Sequence, residues 1–375
     1  NLGKQAEGEF GTFRLTENGE AFNTIFTVNR LRSSSIPSDS NVVISTIQRL
    51  FSFLKGETIE DNDDDENEPI EEVTLPPNPN LPHDYFDMII IDECHRSIYG
   101  NWRKVLEYFD TARLVGLTAT PIPETMAFFN NNCIVNYTLE KSIVDGVNVD
   151  CRVYRIKTQV TETGGAILEG EKFKEETRYT GEVKIVSSKE TKIYTNKELN
   201  RSIINPAQIK LVLSTYRDVV YTELFNDPQR EPNMDFLPKT LIFALNEAHA
   251  TNIVQIAKEV FGRTDDRFVQ KITYSAGDSN ELIRQFRNDK DFRIAVTCTL
   301  VATGTDVKPL EVVMFMRDVE SLPLYIQMKG RGVRTIGDEQ LRNVTPNAFS
   351  KDCFYLVDAV GVTEHAQTVA PIDDA

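Results

Sequence analysis

Apolar positions along this chain fall into short continuous runs separated by amphipathic stretches, and the two periods alternate. Residues 41–47 read as a short buried strand. Residues 86–91 carry Phe86, Met88 and three consecutive isoleucines, Ile89, Ile90 and Ile91. Such a run predicts a strand buried on both faces, as in a parallel sheet. Residues 100–109 place Trp102, Val105, Leu106 and Phe109 on one helical face, and 114–117 make the next strand. This alternation predicts a doubly wound α/β domain. Residues 151–195 differ: 152–157 alternate, and Gly164-Gly165 offers a hairpin turn, so a small antiparallel β element is expected. The α/β rhythm then returns. A helix is predicted over 206–225, then strand 239–244, helix 247–261, strand 268–273, helix 279–288, strands 293–297 and 311–315, helix 322–330 and strand 353–357. Asp278 followed by Glu281 fits a capping box at the start of the 279–288 helix. The expected organisation is an α/β domain over 1–150, a β-rich linker over 151–205 and a second α/β domain over 206–375.

The length of 375 residues suits two or three domains, and a hydrophobic content of 40% is enough to build their cores. No run of about 18 apolar residues occurs, so no membrane span is expected. The first residues, Asn1-Leu2-Gly3-Lys4, show neither an initiator Met nor an apolar signal stretch, and read as part of a longer chain. Cys94, Cys133, Cys151, Cys298 and Cys353 are odd in number and widely spaced. A disulfide framework or zinc site is not expected, and a reducing cytoplasm is. The formal net charge of −16 argues against strong autonomous nucleic-acid binding. Much of it is local, because residues 57–72 hold ten carboxylates and no base. That stretch predicts a solvated loop, with a regulatory or DNA-mimicking role as the alternative. A local basic track elsewhere stays compatible with the charge.

Four short segments carry candidate chemistry, and each lies just past a predicted strand or on a predicted helix. Asp92-Glu93-Cys94-His95 follows the isoleucine run. Ligands of open parallel sheets bind beyond the carboxyl ends of strands. There Asp92 could hold Mg²⁺ through water, and Glu93 could orient and deprotonate an attacking water. Alone, the pair is more simply a turn. Thr118-Ala119-Thr120-Pro121 follows the next strand; its hydroxyls can bond neighbouring carboxylates, or it is a proline-terminated turn. Ala302-Thr303-Gly304-Thr305-Asp306 combines a glycine that lets backbone N–H groups approach phosphate with threonine hydroxyls, or is a plain loop. Gln327 to Arg334 (QMKGRGVR) brings Arg331 and Arg334 to one face if helical. Two guanidiniums suit a triphosphate, or form a basic surface patch.

Together, in this order and spacing, the four segments resemble superfamily 2 helicases and translocases. The resemblance implies two RecA-like P-loop NTPase-type α/β domains with parallel sheets, joined by the small antiparallel element. Asp92 to His95 resembles motif II, with Cys94 where Ala is commoner. Thr118 to Thr120 resembles motif III, Ala302 to Asp306 motif V, and Gln327 to Arg334 motif VI, whose last Arg is the family's arginine finger. Ser45, Thr46 and Gln48 fall in a segment similar to motif Ib, a DNA-backbone contact, and 241–244 resemble motif IV. A closer resemblance, over nearly the whole chain, is to the restriction (motor) subunits of type I restriction–modification enzymes. It is carried by 92–102 (DECHRSIYGNW), 145–149 (DGVNV) and 314–334.

That resemblance implies ATP and Mg²⁺ as cofactors, and Asp92, Glu93, Arg331 and Arg334 as catalytic residues, with Asp92 and Glu93 toward the metal. It implies nucleotide contacts from His95, Gly304, Asp306 and Gln327. Contacts to nucleic acid, or coupling to it, fall to Ser45, Thr46, Gln48, Thr118, Thr120 and Thr303. The implied partners are double-stranded DNA and the methyltransferase (M) and specificity (S) subunits. The chain contains no Gly-x-x-x-x-Gly-Lys-Ser/Thr loop. In this family that loop precedes motif Ia, which Asn1 to Ala6 resemble, so it is expected upstream, and the isolated segment is expected to hydrolyse ATP poorly. Another superfamily 2 DNA or RNA helicase, and a non-catalytic scaffold of a restriction complex, stay open at this point.

Overall fold

The computed structural model describes residues 2–33, 35–57, 74–156, 205–273, 279–298, 306–319 and 321–363, and the backbone of five short strands between 165 and 204. The chain divides into two compact units, with the boundary between Asn136 and Tyr137. Residues 58–72 of the acidic stretch, Gly164, Asp278, Thr303 and Gly304 lie outside the described residues.

The first unit contains α1 (Leu2–Thr12), α2 (Phe22–Ile25), β1 (Val28–Arg30), β2 (Val42–Ile44), α3 (Ile47–Lys55), β3 (Met88–Ile91), α4 (Gly100–Tyr108), β4 (Arg113–Gly116) and α5 (Pro123–Phe128). β1 pairs with β2 and β3 with β4, both in parallel. Parallel pairing forces a crossover, and α4 supplies it between β3 and β4. Helix α3 starts where the Thr46 side chain accepts the Arg49 N–H, and it stops at Gly56, whose φ of 75° is left-handed. The core joins Phe51, Phe53 and Leu54 of α3 to Trp102, Val105 and Phe109, with Leu81 sealed beneath. Phe51 meets Trp102 edge-on at 5.5 Å. One expectation fails here. Strand β3 is not buried on both faces, for Met88 is 52% and Ile90 64% exposed. Only the face bearing Ile89 and Ile91 packs into the core.

The second unit contains α6 (Leu139–Val144), β5 (Asp150–Arg155), β6 (Gly165–Ile167), β7 (Lys172–Glu176), β8 (Val183–Ser187), β9 (Lys192–Tyr194), β10 (Ile203–Ile204), α7 (Pro206–Val219), β11 (Thr240–Phe243), α8 (Glu247–Val260), β12 (Val269–Lys271), α9 (Ser279–Asn288), β13 (Ile294–Thr297), β14 (Val312–Phe315), α10 (Leu322–Lys329), α11 (Asp338–Val344) and β15 (Cys353–Asp358). Six strands form one sheet in the order β12-β13-β11-β14-β15-β5. Every pairing in it is parallel. Strands β11, β13 and β14 are buried at every residue. Cores lie on both faces of the sheet. Burying each large side chain there contributes about 1.5–3 kcal/mol. Asn205 caps α7 ahead of Pro206, and Asn246 caps α8.

Strands β6 to β10 pair antiparallel, β6 with β9 and β7 with both β8 and β10, as the composition of 151–195 predicts. Residues 150–155 do not join them. They form the outer parallel strand of the six-stranded sheet, aligned with Cys353–Asp358. Their polar/apolar alternation fits a half-exposed edge strand equally well, and the partner lies some 200 residues away.

Buried charge is concentrated in this unit. Arg230 and Glu311 form a bidentate pair at 2.7 and 3.3 Å, with side chains 4% and 1% exposed. Arg293 is fully buried; its guanidinium donates to the carbonyls of Leu237, Lys290 and Val344 and to the Thr345 hydroxyl. Burial pulls Arg293 down to about 10 and the ammonium of Lys239, which bonds the Asp289 and Phe292 carbonyls, to about 6. Among the described residues, no helix is long and apolar enough to cross a membrane.

Candidate nucleotide-site residues

The first group sits at the carboxyl ends of β3 and β4, which are in register with Ile91 opposite Gly116. Past this point the chains stay joined: Leu117 N–H donates to the Ile91 carbonyl and Cys94 N–H to the Leu117 carbonyl. The sharp exit demands a left-handed residue, and that residue is Glu93 (φ 48°). Non-glycine residues rarely adopt this conformation, which costs roughly 1–2 kcal/mol. Asp92 offsets part of it, because its Oδ1 accepts the Glu93 N–H at 3.0 Å. Asp92 is exposed, while Glu93 is half-buried.

A 3₁₀ turn over Cys94–Arg96 then swings His95 back over β4. His95 Nδ1 lies 3.0 Å from Thr118 Oγ1, 3.4 Å from Thr120 Oγ1 and 3.4 Å from Glu93 Oε2. Thr118 Oγ1 also accepts the Thr120 N–H. The ring thus bridges the acidic segment to the Thr-Ala-Thr segment, as the proximity of adjacent strand ends predicts. Cys94 is fully buried beneath, which raises its thiol pKa. A Cβ built on Gly116 would come within 2.8 Å of the Cys94 sulfur and 2.5 Å of the Phe129 ring. The turn therefore needs a small residue at 94 and none at 116. Phe129 and Gly116 were not foreseen from sequence as packing partners, although a glycine inside a strand signals a close approach.

Ser45, Thr46 and Gln48 lie at the start of α3. Thr46 Oγ1 is occupied as the helix cap, and Ser45 Oγ donates to the Thr46 carbonyl.

The second group belongs to the second unit. Helix α10 carries Gln327 and ends at Lys329. Arg331 and Arg334 therefore do not share a helical face. The chain turns at Arg331 and runs extended through Val333 and Arg334, where it bridges antiparallel to Asn148. Val149 N–H donates to the Val333 carbonyl at 2.7 Å, and Thr335 Oγ1 donates to the Val147 carbonyl. Gly332 is obligatory: a Cβ there would fall 2.2 Å from the Phe354 ring. Arg331 is largely buried, and burial, then the neighbouring charge of Arg334, lowers its pKa. It lines a small cavity with Leu241, Phe243, Ile283, Phe286 and Val307. Arg334 is 58% exposed, with Nε 3.7 Å from Asp306 Oδ1.

Two carboxylate oxygens, Glu93 Oε2 and Asp306 Oδ1, are buried without a hydrogen-bond partner among the described residues. Leaving such atoms unpaired is costly unless they serve a ligand, water or ion. Among the described residues no three His, Cys, Asp or Glu side chains cluster. The donor set fits a hard cation such as Mg²⁺, which keeps several waters and draws on one or two carboxylates plus phosphate oxygens.

The first unit thus presents strand-end carboxylates tied to a Thr-Ala-Thr segment, and the second a two-arginine arm beside a parallel sheet. Comparison with known proteins narrows this. Residues 1–123 match the family described as type III restriction enzyme, res subunit. The chain is 26% identical to the type I restriction enzyme EcoKI endonuclease subunit of Escherichia coli K12, over 99% of this chain and 30% of that protein. It is 30% identical to the EcoAI endonuclease subunit of Escherichia coli, over 67% of this chain and 30% of that protein. The fold matches a fragment of an HsdR subunit of a type I restriction enzyme from Vibrio vulnificus at a TM-score of 0.59 and 20% identity, covering 94% of this chain and 53% of that one. The chain is thus similar to the endonuclease subunits of type I restriction enzymes. It spans about 30% of the length of the curated relatives it matches.

Proposed function

We propose that this chain is the ATP-driven, double-stranded DNA translocase part of a type I restriction–modification endonuclease. The observation that carries the reading is Glu93, whose buried Oε2 has no hydrogen bond among the described residues and stands 3.4 Å from His95 Nδ1 at the end of β3. In this reading Asp92 would hold Mg²⁺, which when bound would supply charge neutralisation at the phosphates. Glu93 orients the attacking water and accepts its proton. His95, anchored by Thr118 and Thr120, holds the Glu93 carboxylate in place and relays its state to the Thr-Ala-Thr segment. Arg334 stabilises charge that builds on the transferring phosphoryl group, with Arg331 beside it and Gln327 and Asp306 toward the nucleotide. Gly304 and Thr303 supply backbone and hydroxyl contacts. Ser45 and Gln48 meet the DNA backbone, a contact that carries no sequence information and so suits movement along any duplex. Thr46, spent on capping α3, would contribute through its backbone.

The parts are proposed as two motor domains, with strands β6 to β10 as the linking element. Methyltransferase and specificity subunits are the proposed partners, and the cytoplasm the proposed compartment. Glu93→Gln in the full-length subunit tests the assignment. Duplex-stimulated hydrolysis should fall about 10²- to 10⁴-fold while ATP binding persists; retained turnover would refute it. A strand-displacement assay separates a duplex translocase, which leaves strands paired, from an unwinding helicase.

A further inference from the structure

The arm that carries Arg334 is gripped from both sides, and one grip comes from a residue that no motif includes. Lys351 precedes β15 and is 6% exposed. Its Nζ donates to the Arg334 carbonyl at 2.7 Å and to the Lys308 carbonyl at 2.9 Å. Lys308 lies two residues after Asp306, whose Oδ1 stands 3.7 Å from Arg334 Nε. One buried ammonium therefore ties the backbone of the arginine arm to the backbone that follows the Asp306 segment. On the other side, Asn148 and Val149 of the Asp-Gly-Val-Asn-Val segment pair with Arg334 and Val333. Gly332, pressed on Phe354, leaves the arm no room to slide.

We propose that Lys351 is a positioning residue for Arg334, and that with Asn148–Val149 it forms a socket holding the arginine arm at a fixed distance from Asp306. The proposal rests on the reading of Arg334 as the group that stabilises the transition state. The side chain of Arg334 is long and exposed, so its reach is set by where its backbone is pinned. Displacement of a catalytic group by about 1 Å can cost on the order of 100-fold in rate. Two charge-assisted bonds from a buried ammonium are strong, and one of them ends on the backbone of Arg334 itself.

Lys351→Met and Lys351→Gln are made in the full-length subunit, with Arg334→Ala alongside. Steady-state hydrolysis is measured together with affinity for ADP and for ADP–aluminium fluoride. Lys351→Met is expected to lower kcat roughly 10- to 100-fold, with KM for ATP and affinity for ADP unchanged. It should also lose the tighter binding of ADP–aluminium fluoride over ADP. Lys351→Gln, which keeps an uncharged NH₂ donor on a shorter side chain, should fall between Met and wild type. Adding Lys351→Met to Arg334→Ala should cost nothing further. A folded Lys351→Met protein with wild-type kcat and wild-type analogue tightening would overturn the proposal. Should Met not fold, a folded Gln variant at wild-type values overturns it equally, and one with reduced kcat supports it. If Arg334→Ala itself keeps full turnover, the reading of Arg334 fails first, and the two failures are told apart.

Discussion

The two groups of candidate residues rest on different supports. Glu93 stands at the end of a four-residue strand with one open face, held by bonds among residues fewer than 30 apart in sequence: Asp92, His95, Thr118 and Thr120. Arg334 stands on a six-stranded parallel sheet, and its arm is fixed by Asn148, Val149 and Lys351 and by Gly332 against Phe354. The contrast teaches that geometry can be set locally by hydrogen bonds or remotely by packing. Damage to the two should read out differently. Loss of a local bond should change rate with little change in stability, whereas loss of a buried partner under the large sheet should change stability first.

The strongest break is Arg230→Ala. It leaves Glu311, 1% exposed, without its guanidinium, and breaking a buried pair costs about 3–5 kcal/mol. Denaturant unfolding should show the second unit weakened by that amount, while the first unit keeps its midpoint. An unchanged second-unit transition would remove the distinction between the supports.

Thr118→Val sharpens the other side. It deletes the hydroxyl 3.0 Å from His95 and the acceptor for the Thr120 N–H. Each hydrogen bond is worth about 0.5–1.5 kcal/mol, so kcat should fall roughly three- to tenfold with a nearly constant Tm. A large Tm loss with normal kcat would show that the threonine serves the fold and not the site.

A pH dependence is also expected in the second unit. Burial lowers His249 from 6.5 to about 4, and its Nδ1 accepts the Leu245 N–H. Its folded pKa lies below its unfolded value, so the unfolded chain binds the extra proton between these two. Stability is therefore full above about pH 6.5 and declines as pH falls toward 4, by at most about 1.4 kcal/mol per pH unit. Tm of the second unit in His249→Gln should fall less steeply over that range than in the wild type. Equal slopes would assign the acid sensitivity elsewhere.

The same contrast governs how much was legible in the sequence. Strands over 240–243, 294–297 and 312–315 were plain because each is an apolar run broken by at most one threonine, and α9 matched its predicted span, 279–288. That Asp92 and Thr118 lie on adjacent strand ends was legible, but the threonine hydroxyls meet His95 where a carboxylate was expected. The exposure of Met88 and Ile90 was not, since an apolar run carries no record of what covers it. Nor was the place of 150–155, whose partner is distant in sequence. Arg331 and Arg334 would share a face only if their segment were helical, but α10 ends at Lys329, and Gly332 packs against Phe354, a contact no local pattern announces. Lys351 gave no signal at all, for its role is defined by two carbonyls far from it along the chain.

The central proposal is that Asp92, Glu93 and Arg334 all serve one bound nucleotide. It is tested most directly with Mn²⁺ in place of Mg²⁺ in the full-length subunit, trapped with ADP–aluminium fluoride. Distances are then read by electron resonance from the metal to a spin label at Glu124→Cys in one sample and at Glu339→Cys in another. The account predicts a single short, well-defined distance to each label, both appearing only when the analogue is bound. A metal that reports on Glu124→Cys, while the Glu339→Cys label stays distant and unchanged by nucleotide, would contradict it.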